Sequence, residues 1–419
     1  MNEFLPFIGT RYNSEKVNPK DVVSPPYDVI SAAQQAELYA KDPHNVVRLE
    51  LNHDEDPYTR AKKYLDDWKA DQVLMPEESA EFYVYYQTFI TPAREQVTRR
   101  GVIGKLRLKP YSTGDVLPHE RTLSGPKKDR MQLLEVTRTN LSPIFGLIDD
   151  DALIFDHTID VVVAIDPLVD IDEATMNGEN IRHTMWKLTD RALATRLEKL
   201  VASKKIIIAD GHHRYETAVA YAQAHPDDEA AQYMMIFIAN LHSEGTVILP
   251  TYRILYGSKD FNQYKFIAEL RNHFAIEVVT TREEGIEKLK KDSSSLTLCQ
   301  MPEEPHFILI RDMGDLSNCT ALEKLAVYRL HEKILKGVAG LTQEEINAKT
   351  NLLYPHTLEE LDSMIGEHDY DAAFILNPTT PAEVIEVTSA GEFMPQKSTF
   401  FYPKLLSGIV FYELDQQIG

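Results

Sequence analysis

Apolar and polar positions along this chain switch between a helical period and a strand period, and the switches lay out the elements. In "PYTRAKKYLDDWKADQVL", Ala61, Tyr64, Leu65 and Trp68 fall at helical spacing. The next segments, "AEFYVYYQTFI" and "RRGVIGKLRLKPY", are rich in β-branched and aromatic residues and predict a strand pair. Ahead of them, "VVSPPYDVISAAQQAELYAKDPHNVVRLEL" predicts a short strand, a Pro-Pro turn, a helix and a second strand. The loop "LPHERTLSGPKKDR" leads into a helix expected to start near Lys127 or Lys128. "MWKLTDRALATRLEKLVAS" predicts an amphipathic helix that feeds the buried strand "KKIIIAD". After the apolar run "YMMIFIANL", Pro250 in "GTVILPTYRIL" marks a break. Beyond it, helices such as "EEGIEKLKKD" and "LEKLAVYRLHEKIL" alternate with strands such as "HFILIRD" and "YDAAFILN".

This alternation is that of an α/β (mixed α+β) protein. It divides into an α/β domain over residues 1–250 and a second α/β domain over residues 251–419. No internal repeat and no low-complexity linker interrupts it.

Composition narrows the function classes. Lys and Arg number 44 against 65 Asp and Glu, a net charge of -21 that repels a phosphate backbone over most of the surface. No nucleic-acid partner is expected, and an anionic substrate needs a local basic pocket. The two cysteines, Cys299 and Cys319, have no metal-ligand spacing and form no disulfide framework. The start of the sequence lacks a basic segment followed by an apolar run, and no stretch approaches the ~20 apolar residues of a spanning helix. The expectation is a cytoplasmic protein with no membrane partner, for which a homo-oligomer is open.

Chemistry concentrates in "IIIADGHHRYETAVAY", where a strand runs through Asp210 and Gly211 into His212, His213 and Arg214 at the start of a helix. Unpaired amides and the positive end of the helix dipole favour an anion there, and Arg214 adds a fork suited to phosphate oxygens. The bland alternative makes Asp210 a helix cap and pairs Arg214 with a neighbouring carboxylate. Zinc on Asp210 and two imidazoles is a further alternative, although adjacent histidines at a helix start point in different directions.

The run "ADGHHRYETA", with "VVSPPYDVIS", "NVVRLEL", "LPHERTLSGPKKDR", "LPTYRIL" and "MPQKSTFFYPKLLSG", closely resembles the domain of unknown function 1015 family from one end of the chain to the other. Tyr252 stands where that family usually has histidine. More distantly, the order of three segments resembles free-serine kinases of the ParB and sulfiredoxin-like superfamily: Pro118-His119-Glu120, then Asp210 to Arg214, then "PQKST" from Pro395 to Thr399. The resemblance implies a ParB/sulfiredoxin-like nucleotide-binding core built on the strand, DGHHR turn and helix, plus the additional C-terminal part. It implies phosphoryl transfer from ATP or ADP, with Mg²⁺, to the hydroxyl of free serine or a similar metabolite, giving O-phosphoserine.

By that resemblance, Glu120 is the general base, and Asp210, His212 and His213 serve the catalytic centre. His119, Gly211, His213 and Arg214 hold the nucleotide, and Lys397, Ser398 and Thr399 hold the amino acid. Asp210 orients Mg²⁺ or an imidazole. Two alternatives stand beside the kinase: a non-catalytic sensor of a nucleotide or phosphometabolite, and a metal-dependent hydrolase using Asp210 and the histidines. Around these residues, Lys127, Lys128 and Arg130 either reach a nucleotide or solvate their helix. Tyr27 and Asp28 rim a pocket or form an ordinary turn, Arg48 and Glu50 pair on one strand face, and Lys404 adds a cation to the late loop.

Overall fold

The computed structural model describes residues 1–92, 94–121, 124–174, 180–258, 261–292 and 294–415. The protein is a mixed α/β chain in two compact units, each of which is discontinuous in sequence. The first comprises Met1–Pro118, Thr122–Val247 and Pro403–Gly419, and the second His119–Arg121 and Ile248–Tyr402.

The first unit is built on a nine-stranded sheet. Its order is Val116–Pro118, Ile206–Asp210, Ile144–Ile148, Tyr233–Asn240, Gln96–Arg107, Phe82–Ile90, Asn180–Leu188 and Val169–Ala174, with Phe4–Leu5 added on Gln96–Arg107. Ile206–Asp210 runs parallel to Val116–Pro118, and Ile144–Ile148 parallel to Tyr233–Asn240, while the other pairings are antiparallel. The expected strand pair is present, with Tyr85 opposite Gly101 and Gln87 opposite Arg99.

Alternation along Phe82–Ile90 separates two environments. Phe82, Val84 and Tyr86 join the apolar core that includes Leu197, Val201, Tyr215 and Ala218 from two helices, Arg191–Ala202 and His212–Ala224. Tyr83, Tyr85 and Gln87 are equally buried but point the other way. A separate core gathers Leu65 and Trp68 of the helix Pro57–Ala70 with Val46, Leu49 and Phe411.

Four local expectations are corrected. "NVVRLEL" forms a helical turn, Val47–Glu50, rather than a strand. The Asn45 amide donates to the carbonyls of Asp21 (2.8 Å) and Val23 (3.1 Å) and accepts from the Val47 N–H at 3.0 Å, which starts a turn in place of a ladder. "MWKL" ends the strand Asn180–Leu188, and the helix begins only at Arg191, because Asp190 caps it through the Ala192 and Leu193 N–H groups. "LEKLAVYRLHEKIL" is broken into Ala321–Lys324, Ala326–Arg329 and a π-helical stretch, Leu330–Lys336. The helix expected near Lys127 starts earlier, at Ser124.

The second unit holds a six-stranded antiparallel sheet in the order Phe274–Val278, Phe307–Asp312, Ser295–Gln300, Tyr370–Ile375, Arg253–Tyr256, Leu352–Leu353. Both faces are covered. Leu255, Cys299 and Phe374 pack with Phe266 and Leu270 of the helix Gln263–His273, whereas Ile254, Leu298 and Ile375 pack with Leu289 and Leu361 of the helices Arg282–Lys291 and Leu358–Glu367. Among the described residues no helix is long and apolar enough to cross a membrane.

Candidate functional site

In the first unit, the strand Ile206–Asp210 delivers the chain to Gly211, which precedes the helix His212–Ala224 with φ +89°. A Cβ at Gly211 would lie 2.7 Å from Ile144 Cγ2, so both the backbone angle and the close approach select glycine. Gly211, the residue before the helix, has no side chain to cap it, and both carboxylate oxygens of Asp210 are taken up by Lys404 and Arg214. Asp210 is therefore not the cap of the bland alternative, although Arg214 does pair with it.

Each carboxylate oxygen of Asp210 meets a cation. Lys404 Nζ donates to Oδ1 at 2.5 Å and Arg214 Nη2 to Oδ2 at 3.1 Å, with all three side chains largely buried. Burial alone would raise the Asp210 carboxyl, but Lys404, Arg214 and His212 hold it well below the usual range. Burial works against the Arg214 guanidinium, and Asp210, Asp28 and Glu50 more than restore its charge. Arg214 Nη1 also donates to Ser142 Oγ (2.8 Å) and the Pro143 carbonyl (3.0 Å). Lys404, expected beside the late loop, thus belongs to the Asp210 turn.

Behind Arg214 lies Glu50, buried, accepting from Ser142 Oγ at 2.5 Å and Ser407 Oγ at 2.6 Å. It does not pair with Arg48, which sits 4.2 Å over the Tyr39 ring. Arg130 donates to the Glu50 carbonyl at 3.0 Å and stacks 4.0 Å from the Tyr27 ring. A cavity of about 60 Å³ is lined by Glu50, Arg130, Ser142, Arg214 and Thr217. Lys127 pairs with Glu216, and Lys128 is exposed.

The second unit joins the other two motifs. Glu120 Oε1 accepts the backbone N–H of Ser398 at 2.9 Å, and the Met394 N–H donates to the His119 carbonyl at 2.8 Å. His119, 1% exposed, places Nε2 2.7 Å from Thr399 Oγ1. Lys397 takes a left-handed backbone, φ +60°, and its carbonyl accepts from Arg253 Nη2 at 2.8 Å. Arg253 is itself buried, which pushes its guanidinium down to about 10, and its Nε donates to His331 Nε2 at 3.2 Å. Tyr252, next to it, is buried with its hydroxyl raised to about 12 by that burial. Residues 122–123 of the "LPHERTLSGPKKDR" segment lie outside the described residues.

Sequence reasoning missed Glu50, Ser142, Ser407, Arg99, Gln87 and Arg253 as neighbours of these groups. Charged residues inside otherwise apolar strands, as in "RRGVIG" and "TYRIL", were the available signal.

A divalent cation does not fit Asp210 as arranged, because both its oxygens already carry a cation and a further positive ion would meet Lys404 and Arg214 at close range. Among the described residues, no three His, Cys, Asp or Glu side chains gather to hold a metal. Cys299 and Cys319 are free thiols.

No curated protein matches the sequence. Solved structures similar in part include a conserved hypothetical protein from Pyrococcus furiosus, 16% identical, covering 73% of this chain and 93% of its own, with a TM-score of 0.36. A mutant free serine kinase in complex with ADP is 13% identical, covering 74% and 92%, with a TM-score of 0.37. SbnI with a C-terminal truncation, from Staphylococcus aureus, is 11% identical, covering 73% and 88%, with a TM-score of 0.36. Residues 4–362 match the family described as "Protein of unknown function (DUF1015)", and the chain belongs to that family.

Proposed function

We propose that this protein is a phosphotransferase that phosphorylates the hydroxyl of a small metabolite, free L-serine first among the candidates, from ATP or ADP. One observation carries the assignment: the two segments that the motif resemblance gives to base and acceptor, 278 residues apart, meet through Glu120 and the Ser398 N–H.

Phosphoryl transfer asks a protein mainly for positioning and for charge to meet the phosphoryl oxygens. Glu120 takes the proton of the acceptor hydroxyl, whose oxygen forms a bond to the terminal phosphorus. The bond from that phosphorus to the bridging oxygen breaks, and the nucleotide leaves with the electron pair and one phosphate fewer. Among the described residues, Oε1 of Glu120 is held by the Ser398 amide and Oε2 takes no hydrogen bond, which leaves it for the proton. His119 fixes Thr399, while Lys397, Ser398 and Thr399 meet the polar ends of the amino acid. The Gly211 turn, His212, His213 and Arg214 serve the phosphates. Asp210 holds Lys404 and Arg214 in place and is assigned no Mg²⁺.

A second assignment, a phosphometabolite sensor without turnover, is favoured by the complete pairing of Asp210 with two cations, which leaves neither carboxylate oxygen to hold Mg²⁺. The test is incubation of purified protein with Mg²⁺, a nucleotide panel and an amino-acid panel, read by mass spectrometry. A phosphorylated acceptor supports the transferase, and bound nucleotide without product supports the sensor.

A further inference from the structure

We infer that Arg99 and Gln87 are positioning residues that set Lys404 onto Asp210; the importance of that pair rests on the phosphate role proposed above for the Asp210 turn.

Three polar side chains line up in one rung across three adjacent strands of the nine-stranded sheet. Gln87 lies opposite Arg99 on one neighbouring strand and opposite His183 on the other. All three are essentially without exposure, and so is Tyr85 on the same face. A row of this kind is costly to bury unless every group is used. Tyr85 Oη and His183 Nδ1 share a hydrogen bond at 2.6 Å, and Gln87 Oε1 accepts from Arg99 Nε at 3.0 Å and again from Nη2.

Two donors of the row go to consecutive carbonyls of the returning C-terminal segment, while Arg99 Nη1 finds no hydrogen-bond partner among the described residues. Arg99 Nη2 donates to the Pro403 carbonyl, and Gln87 Nε2 donates to the Lys404 carbonyl at 2.8 Å. Pro403 and Lys404 lie outside any strand, so no ladder fixes them. The clamp fixes the backbone at the residue whose Nζ reaches Asp210 Oδ1 at 2.5 Å. Phe145 and Phe237 hold the Arg99 guanidinium from the side, at 4.7 and 5.9 Å from their ring centres. Burial lowers the Arg99 guanidinium to about 9, and the field of Asp210 works the other way. A guanidinium fork can serve Gln87 and Pro403 together, which an ammonium cannot.

The test reads Lys404 directly, without relying on activity. Lysine acylation rates are measured residue by residue by mass spectrometry in the full-length protein, with Lys397 and Lys105 as internal references and Asp210→Asn as the benchmark for a released Lys404. In Gln87→Leu and Arg99→Lys, Lys404 is expected to label about tenfold faster, the factor that one net hydrogen bond corresponds to, with the references unchanged. Gln87→Glu keeps the volume and the acceptor for Arg99 but loses the donor to the Lys404 carbonyl, and it is read in the same way should the other two fail to fold. Unchanged Lys404 labelling in a folded variant, or an equal rise at all three lysines, overturns the clamp. ADP affinity measured on the same samples separates the two claims: faster Lys404 labelling with unaltered affinity keeps the clamp and removes the phosphate role of the Lys404 and Asp210 pair.

Discussion

Glu120 and Ser398, 278 residues apart in sequence, are joined by a 2.9 Å hydrogen bond from the Ser398 backbone N–H to the Glu120 carboxylate. The pairing turns a loop glutamate into an oriented group, because its free rotation would leave a half-buried amide without an acceptor. Beside it, His119 reaches Thr399, so two contacts of the first motif fall on adjacent residues of the third.

Glu120→Gln retains an oxygen for the Ser398 N–H and loses the proton acceptor. Thermal unfolding is expected to change little, while turnover in the proposed transfer falls about 10²–10⁴-fold. Glu120→Leu removes the acceptor itself and is expected to cost about 1–3 kcal/mol in denaturant titration. Equal stability of the two variants would show that the hydrogen bond holds nothing.

Gly211→Ala forces a side chain into a left-handed backbone with Ile144 Cγ2 2.7 Å from the new carbon. The expected loss is about 1–3 kcal/mol of stability in urea titration. A neutral result would mean that the turn relaxes freely and that the close approach is dispensable.

The Asp210 carboxyl titrates below its ordinary range in the folded protein, where Lys404 and Arg214 overcome the effect of burial. A depressed folded value means that its stabilisation is complete above the unfolded value of about 3.9 and is lost as pH falls towards the folded one. Lys404→Met weakens the hold, so its acid-unfolding midpoint is expected at higher pH than that of the wild type, followed by circular dichroism. Coincident acid transitions would argue against the ion pair.

His331 is buried beside Arg253, and burial first, then that cation, push its imidazole well below the usual value. The unfolded chain therefore binds a proton from about pH 6.5 downwards before the native one does, and stability falls with pH across that interval. His331→Gln supplies an oxygen to the Arg253 Nε without a titrating group. Its stability is expected to be flatter between pH 7 and pH 5, measured by denaturant midpoints.

The strand and turn around the DGHHR run were legible because a β-branched run, a glycine and an alanine-rich helix each favour what they form. The strand pair over Phe82–Ile90 and Gln96–Arg107 was legible for the same reason. "NVVRLEL" was not, since its β-branched residues suit a strand and the deciding contact is Asn45 reaching back to Asp21 and Val23. Local pattern also could not give Lys404 its partner, 194 residues away, and so its charge was assigned to the nearest loop. The rung of Arg99, Gln87 and His183 is a property of strand register, which periodicity alone does not specify.

The most direct test is a single-turnover assay of wild type and Glu120→Gln with serine and γ-labelled ATP or β-labelled ADP, scored for O-phosphoserine. Labelled phosphoserine from the wild type, with none above background from folded Glu120→Gln, is the expected result. Nucleotide binding without product in the wild type, or undiminished product from Glu120→Gln, would contradict the transfer mechanism.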